Sequence, residues 1–300
     1  PKIPVYEPAN ENNEEVSKGR ERIDDGRIEA LEKKLYELTR VVSQVERKEP
    51  NGIYYLRTTL RSLNVDVKYT QNLCKKAIFE LTDEEQENPE ITLDFALGEM
   101  AKTIKVARPL LSESEQKGPV VTVFFSEHTT GQTSTILKVA ALRKDAVVIQ
   151  KKGSERFAID KAAETLSERI FDINFIRIKN TNEIFSETRK AIDAGKNVFI
   201  DYRVEVQDTN DVKKFVDGLK KSFNQVEALL TISAIQSESI NKKMLNKYLP
   251  VADGMVVTQM DLCVDFASLY NIQAMDRNVH FIFYGTGEVV PEDIEAASAE

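Results

Sequence analysis

At 300 residues the chain has room for two domains, each with a hydrophobic core of its own. Its 41 Lys and Arg against 49 Asp and Glu leave a formal net charge of −8, which argues against a nucleic-acid binder, because phosphate contacts need a concentrated positive face. No apolar run approaches the roughly 20 residues that span a bilayer, and the opening PKIPVYEPANENNEEVSKG lacks the apolar core of a secretion signal.

Residues 1–26 are polar, with three prolines in the first eight positions, and cannot bury enough surface to fold alone; they read as a flexible leader. From 27 to 48, Ile28, Leu31, Leu35, Leu38, Val41, Val42 and Val45 recur at helical spacing. Pro50-Asn51-Gly52 predicts a stop to that helix. Shorter helices are expected over 53–63 and 67–81, then a polar surface loop over Thr82–Pro89 and a further helix over 91–107. Four helices joined by short polar loops make a bundle, here residues 27–110, and nothing in it looks catalytic. Cys74 and Cys263 fall in separate predicted helices, match no metal-ligand spacing, and read as reduced, buried thiols of a cytoplasmic protein.

The pattern changes at Gly118-Pro119. Residues 120–125 form a short, nearly continuous apolar run, as a strand buried on both faces requires. Comparable runs recur at 146–149, 173–178, 197–201, 228–232, 254–258 and 280–284, with amphipathic helical stretches such as 133–144 and 211–223 between most of them. This alternation predicts an α/β domain over residues 118–300, a largely parallel sheet with helices on both faces. The short connection 112–118 predicts that the bundle packs on that domain. In such sheets ligands bind beyond the carboxyl ends of the strands.

The first of those loops is Ser126-Glu127-His128-Thr129-Thr130-Gly131-Gln132-Thr133-Ser134-Thr135, between a predicted strand and a predicted helix. A phosphate-binding loop there reads G-x-x-x-x-G-K-[ST]: glycines let backbone amides wrap the phosphates, the lysine neutralises them, and the hydroxyl holds Mg²⁺. Gly131 and Thr133 match, whereas Ser126 replaces the first glycine and Gln132 the lysine. Glu127 adds a negative charge where a triphosphate belongs. Losing the lysine removes a charge-assisted hydrogen bond of roughly 1.5–3 kcal/mol.

Taken whole, Val121–Ala140 (VTVFFSEHTTGQTSTILKVA) resembles the phosphate loop of the signal-recognition-particle-type (NG-domain) GTPases, and most closely their flagellar branch, the FlhF family. Further motifs follow in the order of that family. Thr258-Gln259-Met260-Asp261 is similar to its guanine-recognising T-K-x-D, Ser268-Leu269-Tyr270-Asn271-Ile272 to its G-S-L-x-N-I, and Gly285–Ile294 (GTGEVVPEDI) to its closing loop T-T-G-Q-x-V-P-E-D-I-E. The resemblance implies a P-loop-NTPase-like sheet preceded by an N-type bundle. It also implies nucleotide-site positions at Gly131, Gln132, Thr133, Ser134, Arg156, Asp201, Thr258, Asp261 and Gly287, with Thr133 as the metal ligand.

The departures bear on function. The family's D-T-A-G-R loop, which senses the γ-phosphate, reads Asp201-Tyr202-Arg203-Val204-Glu205, with Val204 in place of a glycine whose amide must approach phosphate. The D-T-Y-R loop, whose Asp positions water, reads Gly153-Ser154-Glu155-Arg156. Charge, water-orienting acid and switch glycine are lost together, although phosphoryl transfer works by positioning and charge stabilisation. Asp261 reads either as a guanine contact or as a helix cap, Thr133 as a Mg²⁺ ligand or a first-turn hydroxyl, and Arg156 as a phosphate contact or a surface ion pair. His128 has no identifiable catalytic partner, and Tyr202 and Arg203 read as surface or interface residues. The expected protein is therefore a non-hydrolysing, FlhF-like scaffold or targeting factor in flagellar assembly, needing no cofactor. Its partners are expected to be proteins: an FlhF-type GTPase, a second copy paired through the α/β domain, or flagellar and membrane-associated machinery, met in the cytoplasm or at the membrane periphery. The alternative is a GTPase that binds GTP and Mg²⁺ and hydrolyses slowly or with a partner's help.

Overall fold

The computed structural model describes residues 31, 33–38, 49–110, 118–143, 145–151, 165, 168–204, 209–275 and 280–299. Leu31 and residues 33–38 are helical, within the first predicted helix. Leu31, Leu35 and Leu38, expected on its buried face, are more than 60% exposed. The rest of that helix, and Arg156 with the Gly153–Glu155 loop, lie outside the described residues.

Helix α1 (Asn51–Ser62) begins where the sequence suggested a stop. Pro50 is its N-cap, and Gly52 serves a close approach rather than a turn: a Cβ there would lie 2.6 Å from the Gln86 carbonyl and 2.7 Å from that of Asn88. Helix α2 (Val67–Glu80) is capped by Asp66. The expected polar loop contains a short helix, α3 (Asp83–Gln86), because Thr82 and Glu85 form a reciprocal capping box. Helix α4 (Pro89–Thr103) follows, with Asn88 as cap and Pro89 in its first turn. It ends earlier than expected because the chain beyond it pairs with the sheet: Phe281 donates to the Lys105 carbonyl and accepts from the Ala107 amide.

Then come β1 (Val121–Ser126), α5 (Gln132–Ala141), β2 (Ala146–Lys151), β3 (Asn174–Ile178), α6 (Thr181–Asp193), β4 (Asn197–Arg203), α7 (Thr209–Ser222), β5 (Val226–Ser233), α8 (Glu238–Tyr248), β6 (Gly254–Thr258), α9 (Ala267–Met275), β7 (Phe281–Gly285) and β8 (Ile294–Ala296). The strand order is β3-β2-β4-β1-β5-β6-β7-β8. Seven strands run parallel as expected; the eighth, β8, pairs antiparallel with β7 and had no strand-like run to announce it. Cys263 sits just past a 3₁₀ turn (Met260–Leu262) rather than in a helix.

Both sheet faces are covered. One buries Val121, Val123, Phe125, Ile200 and Tyr202 beneath residues of α6, α7, α8 and α9. The other buries Phe124, Val148 and Phe199 beneath Ile136, Leu137, Val139 and Ala140 of α5. Helix α9 serves two cores, with Leu269 and Ile272 against the sheet and Ala267 and Tyr270 against Ile53, Leu56 and Leu60 of the bundle. Asn271, 2% exposed, locks this junction by accepting from the Asp66 amide and donating to the Asn64 carbonyl and Glu238 Oε2. The bundle is thus packed on the α/β domain, as its short connection suggested.

Candidate functional site

Strands β1 and β4 are neighbours, and the connection from β1 to β2 runs one way across the sheet while that from β4 to β5 runs the other, which opens a crevice at their carboxyl ends. The loop from Ser126 leads through Gly131, at φ +70°, into the first turn of α5. That left-handed conformation suits glycine, and it keeps the strand–turn–helix path of a phosphate loop. Thr258, at the end of β6, ties the loop down by donating to the Thr130 carbonyl at 2.5 Å and to the Ile232 carbonyl at 3.1 Å. Ser134 is exposed on the first helical turn.

Strand alternation turns Phe199, Asp201 and Arg203 of β4 toward α5, and Ile200 and Tyr202 away from it. Asp201 is fully buried and pairs in register with Gln150 of β2. Its Oδ1 accepts from Gln132 Nε2 at 2.5 Å, and its Oδ2 from Thr133 Oγ1 at 2.6 Å and Gln150 Nε2 at 2.8 Å. The second Gln132 amide proton goes to the Phe124 carbonyl at 3.1 Å. Arg203 donates to Thr133 Oγ1 at 2.8 Å. Hence Gln132, Thr133 and Asp201, expected to face a nucleotide, face one another.

Four neighbouring residues differ from their sequence reading. Glu127 does not project toward a phosphate position: it is buried, bonded to Lys247 and to the Tyr248 hydroxyl at the end of α8. Burial pushes its pKa up, but those hydrogen bonds and the Lys247 charge outweigh this and hold it below the ordinary carboxyl value. Val204 is buried among core residues, and its amide, expected at the γ-phosphate, donates to the Ser126 carbonyl at 3.0 Å. Neither Tyr202 nor Arg203 is a surface residue: Tyr202 is 3% exposed and stacked on Phe215, and Arg203 is half-buried against Thr133.

The base-side residues stand apart. Gln259, at φ +58°, lends its side-chain oxygen to the Ser233 hydroxyl at 2.5 Å. Asp261 is exposed in the 3₁₀ turn. Gly287 presents its carbonyl to Lys138 Nζ at 2.5 Å, and a Cβ there would lie 2.3 Å from Asp293 Oδ2. Lys138, 3% exposed, also donates to the Asp293 carbonyl at 3.1 Å. Burial lowers its pKa, partly offset by Asp293, Asp261 and Glu288. Sequence reasoning missed Gln150, Lys138 and Lys247. A lysine set within the apolar run Ile136–Ala141 was the signal for Lys138; the other two depend on strand and helix packing.

A Mg²⁺–triphosphate does not fit this arrangement as it stands. The Thr133 hydroxyl has its proton on Asp201 and a lone pair on Arg203, and the residue in the lysine position reaches inward. A metal at Thr133 would compete with Arg203 for the lone pairs of that hydroxyl and meet its positive charge. Among the described residues, no group of three or more His, Cys, Asp and Glu is placed to hold a metal ion, and no helix is long and apolar enough to cross a membrane.

A P-loop-like turn at the switch point of a largely parallel sheet, with a helical bundle docked on the last α/β helix, is the NG-domain fold of signal-recognition-particle-type GTPases. Solved structures that share it include FlhF complexed with GTP/Mg²⁺, at 18% identity over 83% of this chain and 96% of that one, with a TM-score of 0.67. FtsY from Mycoplasma mycoides shares it at 15% identity (87% and 92% covered, TM-score 0.67), and chloroplast FtsY from Physcomitrella patens at 13% (82% and 84%, TM-score 0.68). At such identities the likeness is one of fold. No protein-family model and no curated protein sequence matches the chain.

Proposed function

We propose that this protein is an FlhF-like pseudo-GTPase, a scaffold or targeting factor in flagellar assembly or placement that hydrolyses little or no GTP. The observation that carries this reading is that Gln132, Thr133, Asp201, Gln150 and Arg203 bond to one another where a phosphate loop would present them to a ligand. Electrostatic stabilisation of developing charge is the main work of a phosphoryl-transfer site, and three cations of the described residues near this loop are turned to the protein itself: Arg203 to Thr133, Lys247 to Glu127, Lys138 to Gly287. The flagellar part rests on the Gly285–Ile294 motif and on the likeness to FlhF. Its partners on this reading are proteins, an FlhF-type GTPase or a second copy meeting the α/β domain, in the cytoplasm or at the membrane periphery.

The left-handed Gly131 and the exposed Asp261 favour a second reading, GTP binding with slow or partner-dependent hydrolysis. Extraction of nucleotide from freshly purified protein, followed by calorimetry with GTP and Mg²⁺, separates the two. The pseudo-GTPase reading expects no co-purified nucleotide and no turnover above buffer. Near-stoichiometric GTP or GDP, or turnover that disappears in Asp261→Ala, overturns it.

A further inference from the structure

Asp201 and Thr133 come from separate loops, yet they meet at 2.6 Å with a guanidinium 2.8 Å from the same hydroxyl. In a working phosphate loop of this kind a hydroxyl and a carboxylate from these two positions are brought together by Mg²⁺. Here the neighbouring positive charge is a side chain. Arg203 ends β4 opposite Ser126, the first residue of the loop, so strand pairing places it at the crevice. Gln150 and Gln132 bring neutral donors to Asp201 and add no charge, so that in this set of described residues the charges are those of Asp201 and Arg203.

We propose that Arg203 is the resident cation of this site: it takes, toward Thr133 and Asp201, the place a divalent ion holds in an active relative, and keeps loop and β4 together without metal or nucleotide. A guanidinium differs from Mg²⁺ in ways that matter. It cannot exchange or leave, it is always charged, and it donates directed hydrogen bonds instead of accepting ligand lone pairs. A divalent ion entering beside it meets a like charge and a hydroxyl oxygen that already accepts from the guanidinium. The loop therefore has no metal-dependent state to switch between. This inference rests on the pseudo-GTPase reading, because it takes the site to be complete without nucleotide.

Thermal unfolding of the whole chain with MnCl₂, compared with NaCl of equal ionic strength, tests it together with Mn²⁺ titration followed by electron paramagnetic resonance. Wild type is expected to keep its Tm within about 1 °C and take up no Mn²⁺ in the micromolar range. Arg203→Met is expected to lose several °C, to recover at least about half of that loss in millimolar Mn²⁺, and to bind about one equivalent. Arg203→Lys, which keeps a cation, is expected to stay near wild type and ignore Mn²⁺. Mn²⁺ uptake by wild type overturns the proposal, as does an Arg203→Met protein that is destabilised without responding to the metal. Should Arg203→Met not fold, the Mn²⁺ titrations of wild type and Arg203→Lys decide, since uptake by either refutes a resident cation. GTP binding by wild type in EDTA would instead overturn the function proposed above and leave Arg203 in place.

Discussion

Glu227, near the start of β5, is a carboxyl group whose surroundings should make the whole fold sensitive to pH. It is 7% exposed, and Oε1 accepts from the Leu110 amide at 3.1 Å, joining the strand to the chain that leaves the bundle. Burial, with a further contribution from Asp253, pushes its pKa from 4.5 to about 7, against the lowering effect of the Leu110 amide. Asp253 itself accepts from the Ala228 amide and from Lys220. A raised carboxyl pKa means that the folded state holds the proton more tightly than the unfolded chain. The contribution to stability is therefore full below about pH 4.5, declines as pH rises, and is lost above about pH 7. At 1.36 kcal/mol per pH unit the gap corresponds to roughly 3 kcal/mol. Glu227→Gln keeps the acceptor for Leu110 and removes the titration. Chemical unfolding of both proteins at pH 5 and pH 8 is the assay. The stability difference between variant and wild type should move by roughly 2.5 kcal/mol in the variant's favour from pH 5 to pH 8, whatever constant offset the new amide introduces. Parallel pH profiles would refute the reasoning.

Gly131→Ala places a Cβ on a left-handed residue and is expected to cost about 1–2 kcal/mol, read as a lower denaturant midpoint; an unchanged midpoint would mean that α5 does not need this entry geometry. Gln132→Lys is expected to leave hydrolysis at background and to improve GTP binding modestly at most, because the new ammonium meets the buried Asp201 carboxylate that Gln132 now contacts. Micromolar affinity in calorimetry with measurable phosphate release would show a dormant site rather than a dismantled one. Asn271→Ala strips partners from the Asp66 amide and the Asn64 carbonyl. It is expected to cost about 2 kcal/mol or more and to speed hydrogen exchange in the first turn of α2, and normal protection there would show that α9 does not hold the bundle through this residue.

The parallel strands were legible because most are buried on both faces and so read as short, largely apolar runs, the edge strand β3 being only partly buried. The loop at 126–135 was singled out by its surroundings, since Gly and Thr after a strand are common by themselves and the resemblance of Val121–Ala140 as a whole made the segment specific. Gly52 was misread because Asn-Gly after Pro signals a turn in isolation, whereas its role is set by the carbonyls of Gln86 and Asn88, more than thirty residues away. Strand β8 was missed because three edge residues, of which only Ile294 is half-buried, carry no periodicity. The local sequence also decided that the lysine of a phosphate loop and the switch glycine are replaced, and from this it was clear what the site lacks. What stands there instead was decided by tertiary structure. Gln150 and Arg203 reach Asp201 and Thr133 only because β2 pairs with β4 and β4 with β1, and Glu127 is neutralised only because the end of α8 packs beside it. The physical reason is that hydrophobic periodicity is written along the chain, residue by residue, whereas the partner of a buried charge is chosen by strand order and helix packing, which bring together residues far apart in sequence.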